Sequence, residues 1–263
     1  MPEEIVSTTP LLYSTAQMDN FYAALARGIV KPTGIMNYLQ HLFIAERCPA
    51  GASVLDVCCG RGLQVPLLTR YAPTIDQYVG VDISQANLDE AQEVIWYADG
   101  HLPPFPCEFI RGDACFLASF LHRHFDVVIY TSALEHLERE AGAASLEQVT
   151  RLLADGGTLY LSTPRTEGPP PRTLQHRVHI YEWGKAEVEG VLKQCHLTIT
   201  ACYGLLPPAD ALLADAIVAR FGDGAGAWFQ QMQQGVPHAF LAPIVATAFP
   251  EVATELLYVC QKA

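Results

Sequence analysis

Positive charge is scarce in this chain of 263 residues: 16 lysines and arginines stand against 28 aspartates and glutamates, a formal net charge of −12. Such a surface repels nucleic acid and anionic membrane over most of its area, so a nucleic-acid substrate is not expected. Long apolar runs are missing too. None approaches the roughly 18 residues that a bilayer-spanning helix needs, so no membrane partner is expected either. The opening residues MPEEIVSTTP are acidic and have no apolar h-region, which reads against a secretory signal or an Arg-rich transit peptide. The eight cysteines, Cys48, Cys58, Cys59, Cys107, Cys115, Cys195, Cys202 and Cys260, form no C-x-x-C pair. Several lie in apolar strand-like surroundings, so they read as buried reduced thiols in a reducing cytoplasm, not as a zinc site or a disulfide framework.

Apolar residues are plentiful: they make up 50% of the chain against 17% charged, which excludes bulk disorder and supports a sizeable core. The organisation expected is a helical preface over residues 1–48 and one catalytic domain over 49–263. That domain turns on Ser53 to Gly62, reading SVLDVCCGRG. Val54, Leu55 and Val57 make a short apolar strand, and Cys59-Gly60-Arg61-Gly62 is a tight turn feeding a helix over Leu63 to Thr69. In an open parallel sheet, ligands bind at the carboxyl ends of strands, where glycines let the backbone come close. Asp56 narrows the ligand, because a carboxylate there repels a pyrophosphate and suits an ammonium group.

A regular alternation follows. The strand Tyr78 to Val81 ends in Asp82, and Ser84 N-caps a helix carrying Ala91, Val94, Ile95 and Ala98. Strands over Glu108 to Arg111 and Asp126 to Tyr130 lead into Gly112-Asp113-Ala114 and Glu135-His136. Ser145 and Gln148 have capping-box spacing for a helix that Gly156-Gly157 would end. Strands over Thr158 to Ser162, Leu197 to Tyr203 and Glu255 to Cys260 complete seven, with a helix over Lys185 to Gln194. Before the first strand, helices over Met18 to Arg27 and Thr33 to Arg47 are separated by Lys31 to Gly34, and the second places Ile35, Met36, Leu39, Leu42 and Phe43 on one face. That preface is either packing or a flap whose Tyr13, Phe21 and Tyr22 close over a ligand.

The ends of four successive strands therefore carry Asp56, Asp82, Asp113 and the Tyr130 to His136 turn to one edge. Asp82, about twenty residues past the glycine turn, is placed to accept from both hydroxyls of a ribose, and Asp113 from an adenine amine. The ligand these imply is an adenosine with a cationic tail. A nicotinamide cofactor fits less well, since Val65 stands where its third glycine would be.

Over roughly residues 50 to 200 the chain resembles the class I S-adenosylmethionine-dependent methyltransferases. VLDVCCGRG looks like their glycine-rich first motif, VGVDIS the second, GDA the adenine contact, and FDVVIYTSALEHL and LLADGGTLYLSTP the fourth and fifth strand regions. The resemblance implies a Rossmann-like, seven-stranded, mostly parallel sheet with flanking helices, the last strand entering antiparallel from a helical insertion over 204–250. It implies S-adenosylmethionine as the donor, held by Asp56, Cys58, Gly60, Gly62, Asp82, Ile83, Asp113, Ala114, Tyr130 and Tyr22. Cys58 departs from the pattern, standing where the first glycine belongs, a change of small cost if Cys58 still belongs to the strand.

The acceptor is read as a small, substantially apolar molecule, with O-methylation ahead of N- or C-methylation. Methyl transfer is an in-line displacement that asks for alignment and, with a hydroxyl acceptor, for a base. His136 is the first candidate and His179 the second, against the alternative that His136 only orients its loop. In HRVHIYEW, His176, Tyr181 and Trp183 would hold the acceptor, unless the two aromatics merely pack the next helix. No N-P-P-Y or D-P-P-Y follows the fourth strand, so the amino-group methylation of nucleobases or glutamine typical of that motif is not expected; no compact Asp-Asp-Asn set for magnesium is visible, so no metal is expected. The insertion, with Trp228, Phe229, Phe240 and Phe249, is either an acceptor lid or the interface of a homodimer. A macromolecule-directed methyltransferase and a non-catalytic donor-binding partner protein are the competing readings.

Overall fold

The computed structural model describes residues 31–97 and 102–262. The expected helix from Met18 to Arg27, the aromatics Tyr13, Phe21 and Tyr22, and Ala98 lie outside the described residues. Strands β1 (Ser53–Val57), β2 (Gln77–Asp82), β3 (Cys107–Arg111), β4 (Phe125–Thr131), β5 (Leu153–Pro164), β6 (Leu197–Leu206) and β7 (Glu255–Lys262) form one sheet in the order β3-β2-β1-β4-β5-β7-β6. The pairs among β1 to β5 are parallel, and β7 runs antiparallel between β5 and β6. Helices α1 (Pro32–Ala45), α2 (Gln64–Tyr71), α3 (Gln85–Tyr97), α4 (Arg139–Leu152) and α5 (Lys185–Gln194) flank it.

The central strands are apolar almost without a break because both faces are covered. Leu55, Val57, Val79, Val81 and Val128 pack on one face with Leu146, Val149 and Trp183. Val54, Tyr78, Val127 and Ile129 pack on the other with Val65 and Leu68 of α2 and Met36 and Ile44 of α1. Helix α1 starts at Pro32, so Lys31 to Gly34 is not a break before a later helix but its first turn, where a proline costs no backbone hydrogen bond. Its buried residues are Ile35, Met36, Gln40, Ile44 and Ala45, while Leu39, Leu42 and Phe43 are only partly covered.

Two boundaries differ from the sequence reading, for one reason: tertiary packing overrides a local cap signal. Helix α4 begins at Arg139, so Ser145 is not a cap but an interior residue; its Oγ donates to the Gly142 carbonyl at 2.8 Å and lies 2.9 Å from the Tyr130 hydroxyl. The helix ends at Leu152, and Leu153 already pairs with Phe125 of β4, with an irregularity in register before Val127. Gly156, at φ 72°, and Gly157 therefore shape the uneven start of β5 instead of ending a helix.

The segment between β6 and β7 forms three helices, α6 (Asp210–Phe221), α7 (Asp223–Gly235) and α8 (His238–Ala246). Leu213, Ile217, Phe229, Leu241, Ala242 and Phe249 give it a core of its own, and α8 packs on α1 and β6. Because Leu206 and Pro164 both pair with Glu255, this insertion leaves and rejoins the sheet at the carboxyl edge of the parallel strands.

Candidate active site

At that carboxyl edge the glycine turn and Asp82 are joined directly. The Gly60 N–H donates to Asp82 Oδ2 at 2.9 Å, and Asp82 Oδ1 accepts from the Ser84 N–H at 2.8 Å and from Asn87 Nδ2 at 3.2 Å. Ser84 caps α3 as its position suggests, with its Oγ 3.3 Å from the Asn87 nitrogen. Asp56 is buried next to this turn, and the Tyr78 hydroxyl donates to its Oδ2 at 2.7 Å. Burial pushes the Asp56 carboxyl up to about 7 despite that bond, and neighbouring Asp82 adds to the effect. Asp113 caps a short 3₁₀ turn, Ala114–Ser119, by accepting from the Cys115 N–H at 2.8 Å.

Cys58 is where the structure departs most from expectation. Strand β1 ends at Val57, so Cys58 lies outside it and takes φ 58°, the left-handed conformation in which a side chain is strained. Its thiol is pushed up to about 12, first by burial and then by Asp82, Asp56 and Asp113. One thiol thus feels all three predicted carboxylates, which places the ends of β1, β2 and β3 around one point. Gly60 and Gly62 keep φ values of 54° and 68°, and a Cβ on Gly62 would stand 3.0 Å from the Ala91 Cβ of α3.

A second group occupies the ends of β4, β5 and β7. Glu135 is buried, with Thr163 Oγ1 donating to its Oε2 at 3.2 Å. The Ile180 and Tyr181 N–H groups donate to the Glu135 carbonyl at 2.8 and 3.2 Å, which pins the loop of His176 and His179 onto the turn after β4. Ring centroids of His136 and His179 are 5.3 Å apart, and those of His176 and His179 5.5 Å. His179 Nδ1 lies 2.5 Å from Oε1 of buried Glu182, which also accepts from the Gln175 N–H at 2.6 Å and from the Thr166 hydroxyl. Glu255, the first residue of β7, is buried beside Ser132, whose Oγ also meets Gln40 Nε2 of α1 at 3.3 Å. Burial pushes Glu135 up to about 7 and Glu255 up to about 8, the latter reinforced by Glu135.

Other predicted contacts go elsewhere. Trp183 is fully buried in the core against Leu134 and Gly142, so it packs a helix and offers no face to an acceptor. The Tyr181 hydroxyl lies 2.9 Å from Glu187 Oε1 within an Arg172–Glu187 ion pair, and so takes the packing alternative as well. The Tyr130 ring is buried and its hydroxyl lies 2.9 Å from Ser145 Oγ of α4, with burial first and then the nearby Cys58 thiol pushing its pKa up. Ala114 is buried, while Ile83 is 66% exposed beside Asp82, an open apolar face at the mouth of the turn.

The sequence reading passed over Gln40, His41, Gln64, Tyr78, Glu182 and Glu255. His41 Nδ1 lies 2.7 Å from Gln64 Oε1, and Gln64 Nε2 donates to the His41 carbonyl at 3.0 Å, so α1 is tied to the residues just after the glycine turn. A polar residue on a buried helix stripe, as Gln40 is, was the one available signal. Tyr78 and Glu255 gave none, since their partners come from other strands.

Residues 54–157 match the family model described as a methyltransferase domain. The chain therefore carries a methyltransferase domain over those residues, and its strand order is similar to that of the class I S-adenosylmethionine-dependent methyltransferases. Solved structures show the same fold. A TehB-like S-adenosylmethionine-dependent methyltransferase from Corynebacterium glutamicum is 16% identical with a TM-score of 0.55, over 94% of this chain and 96% of that one. The N-methyltransferase NodS from Bradyrhizobium japonicum is 13% identical with a TM-score of 0.53, over 86% and 96%. The small RNA methyltransferase HEN1 is 14% identical with a TM-score of 0.61, over 86% of this chain but only 25% of its own. At such identities the fold is shared and the acceptor is not thereby given. No curated protein matches the chain by sequence, and no helix among the described residues is long and apolar enough to cross a membrane.

Proposed function

We propose that this methyltransferase acts on a small-molecule acceptor, with an oxygen as the favoured methyl-accepting atom. The observation that carries this reading is the acceptor end of the cleft, where buried Glu135, Glu182 and Glu255 stand with His136 and His179 at the foot of the helical insertion. A chain with a net charge of −12 opposes the phosphates of RNA, and a pinned loop under an insertion suits a compact molecule. The histidines supply the polar groups that act on the acceptor, and the insertion covers it.

The donor is held at the other end. Asp82 takes the ribose hydroxyls with the lone pairs that Gly60, Ser84 and Asn87 leave free, Ile83 offers its apolar face to the adenine, and Asp113 accepts from the base. Asp56 and the Gly60 to Gly62 turn face the cationic tail. Thermal shift with S-adenosylmethionine and its demethylated product is the first test. A micromolar binder at millimolar concentration stabilises by about 2 kcal/mol or more. Asp82→Ala should stay folded and lose most of that stabilisation; an unchanged shift would remove Asp82 from the donor site. Incubation with a metabolite extract and labelled donor should then yield a small molecule heavier by one methylene, and label recovered only in bulk RNA or protein would overturn the small-molecule reading.

A further inference from the structure

Three side chains at the acceptor end form a donor set whose chemistry neither the family match nor the fold assigns. One ligand atom each from Glu135, His136 and His179 lies within 4.8 Å of the other two. Both imidazoles are already fixed in one tautomer. His136 Nδ1 lies 3.2 Å from the Val178 carbonyl, which can only accept, so the proton sits on Nδ1 and Nε2 keeps a bare lone pair. His179 Nδ1 donates to Glu182 in the same way, leaving its Nε2 bare. A carbonyl behind one histidine and a carboxylate behind the other are the outer partners that orient imidazole ligands and raise their basicity at metal centres.

The geometry points to a site for a first-row divalent cation, such as Mn²⁺, Co²⁺ or Zn²⁺, held by a Glu135 carboxylate oxygen and the Nε2 atoms of His136 and His179. Two imidazoles and one carboxylate suit these ions better than Mg²⁺ or Ca²⁺, which favour oxygen alone. An ion about 2.1 Å from each ligand brings the ligand atoms to about 3.0–3.5 Å from one another, so the set must close inward. His136, whose side chain is exposed, is free to turn by that amount. Three protein ligands leave coordination positions open toward the insertion. An acceptor oxygen bound there would lose its proton to solvent more readily and attack the donor's methyl group, forming the O–C bond as the C–S bond breaks. The cation site stands on its own ligands, whereas this use of it rests on the methyl-transfer reading.

The test uses the full chain and cobalt(II) chloride alone, without donor, so its outcome is separate from that of the donor experiments. One equivalent of Co²⁺ should bind with a visible d–d spectrum, and Zn²⁺ should displace it. His136→Ala and His179→Ala should each weaken binding by at least the 10- to 100-fold that loss of an outer partner costs, and Glu182→Gln by 10- to 100-fold through orientation alone. His122→Ala with His124→Ala, remote from the set, should change nothing. Should the variants fold poorly, Zn²⁺ added to the wild-type chain should shift the imidazole nitrogen resonances of His136 and His179 and of no other histidine except neighbouring His176. Failure to bind Co²⁺ at submillimolar concentration, binding unaffected by both alanine variants, or resonance shifts confined to His122 and His124 would each overturn the site.

Discussion

Replacing Asp56 by asparagine should stabilise this protein at neutral pH while weakening donor binding. The carboxyl is buried, takes one hydrogen bond from Tyr78, and feels the like charge of Asp82 on the adjoining strand, with the thiols of Cys58 and Cys59 beside it. Its folded-state value of about 7 stands against about 4 in an unfolded chain. The folded value is the higher, so the native state holds the extra proton between about pH 4 and pH 7. The contribution to stability is fully present below pH 4, is lost as pH rises through 7, and is constant beyond. About three pH units at about 1.4 kcal/mol each come to about 4 kcal/mol. Asparagine keeps the shape and an oxygen for the Tyr78 hydroxyl, and has no proton to lose. In urea titrations the stability of Asp56→Asn relative to the wild type should therefore grow by about 3 kcal/mol between about pH 4.5 and pH 8. In this size range that corresponds to roughly 6–12 °C in Tm. The other buried acids tilt both proteins alike and cancel in the difference. Parallel pH curves for the two proteins, or an asparagine variant less stable at pH 8, would refute the argument. Donor-induced stabilisation should fall in the same variant, because a neutral amide attracts a cation less.

Two further outcomes follow from geometry. Gly62→Ala forces a Cβ onto a backbone at φ 68° and to 3.0 Å from Ala91, so urea denaturation should show a loss of about 1–2 kcal/mol from the conformation alone, and a loss below 0.5 kcal/mol would mean the turn relaxes freely. Trp183→Ala should cost about 3–5 kcal/mol, whereas Trp183→Phe should leave the KM for the acceptor unchanged; a raised KM in the phenylalanine variant would return Trp183 to the acceptor site.

The half of the site proposed to hold the donor was legible because it is local. VLDVCCGRG, VGVDIS and GDA each put a strand, a turn and a carboxylate within a few residues, and parallel strands carry such ends to one edge. Cys58 was misread because its conformation depends on where β1 stops, and a cysteine gives no sign of a left-handed backbone. The half proposed to hold the acceptor was less legible because it is assembled across strands. Glu135 and His136 follow β4, His179 and Glu182 sit in the loop after β5, Glu255 opens β7, and Gln40 reaches in from α1. Nothing in HRVHIYEW says that Glu182 would turn inward while Trp183 is lost to the core. Ser145 and Gly156 misled for the opposite reason, carrying strong cap signals where packing set the helix ends elsewhere.

The reversed direction of β7 has a consequence for how such a protein can change. Since β6 ends and β7 begins at the same edge, the helical insertion is a handle with both feet on one rim, and it carries its own small apolar core. Lengthening or exchanging it alters no strand register, and longer closed segments add little entropic cost. On the proposed reading, in which the insertion covers the acceptor, acceptor range can drift by swapping this handle while the glycine turn stays fixed. Glu255 sets the limit on such grafts: any transplanted segment has to return the chain to a carboxylate at the first position of β7, next to Ser132, or the buried contact beneath the insertion changes with it.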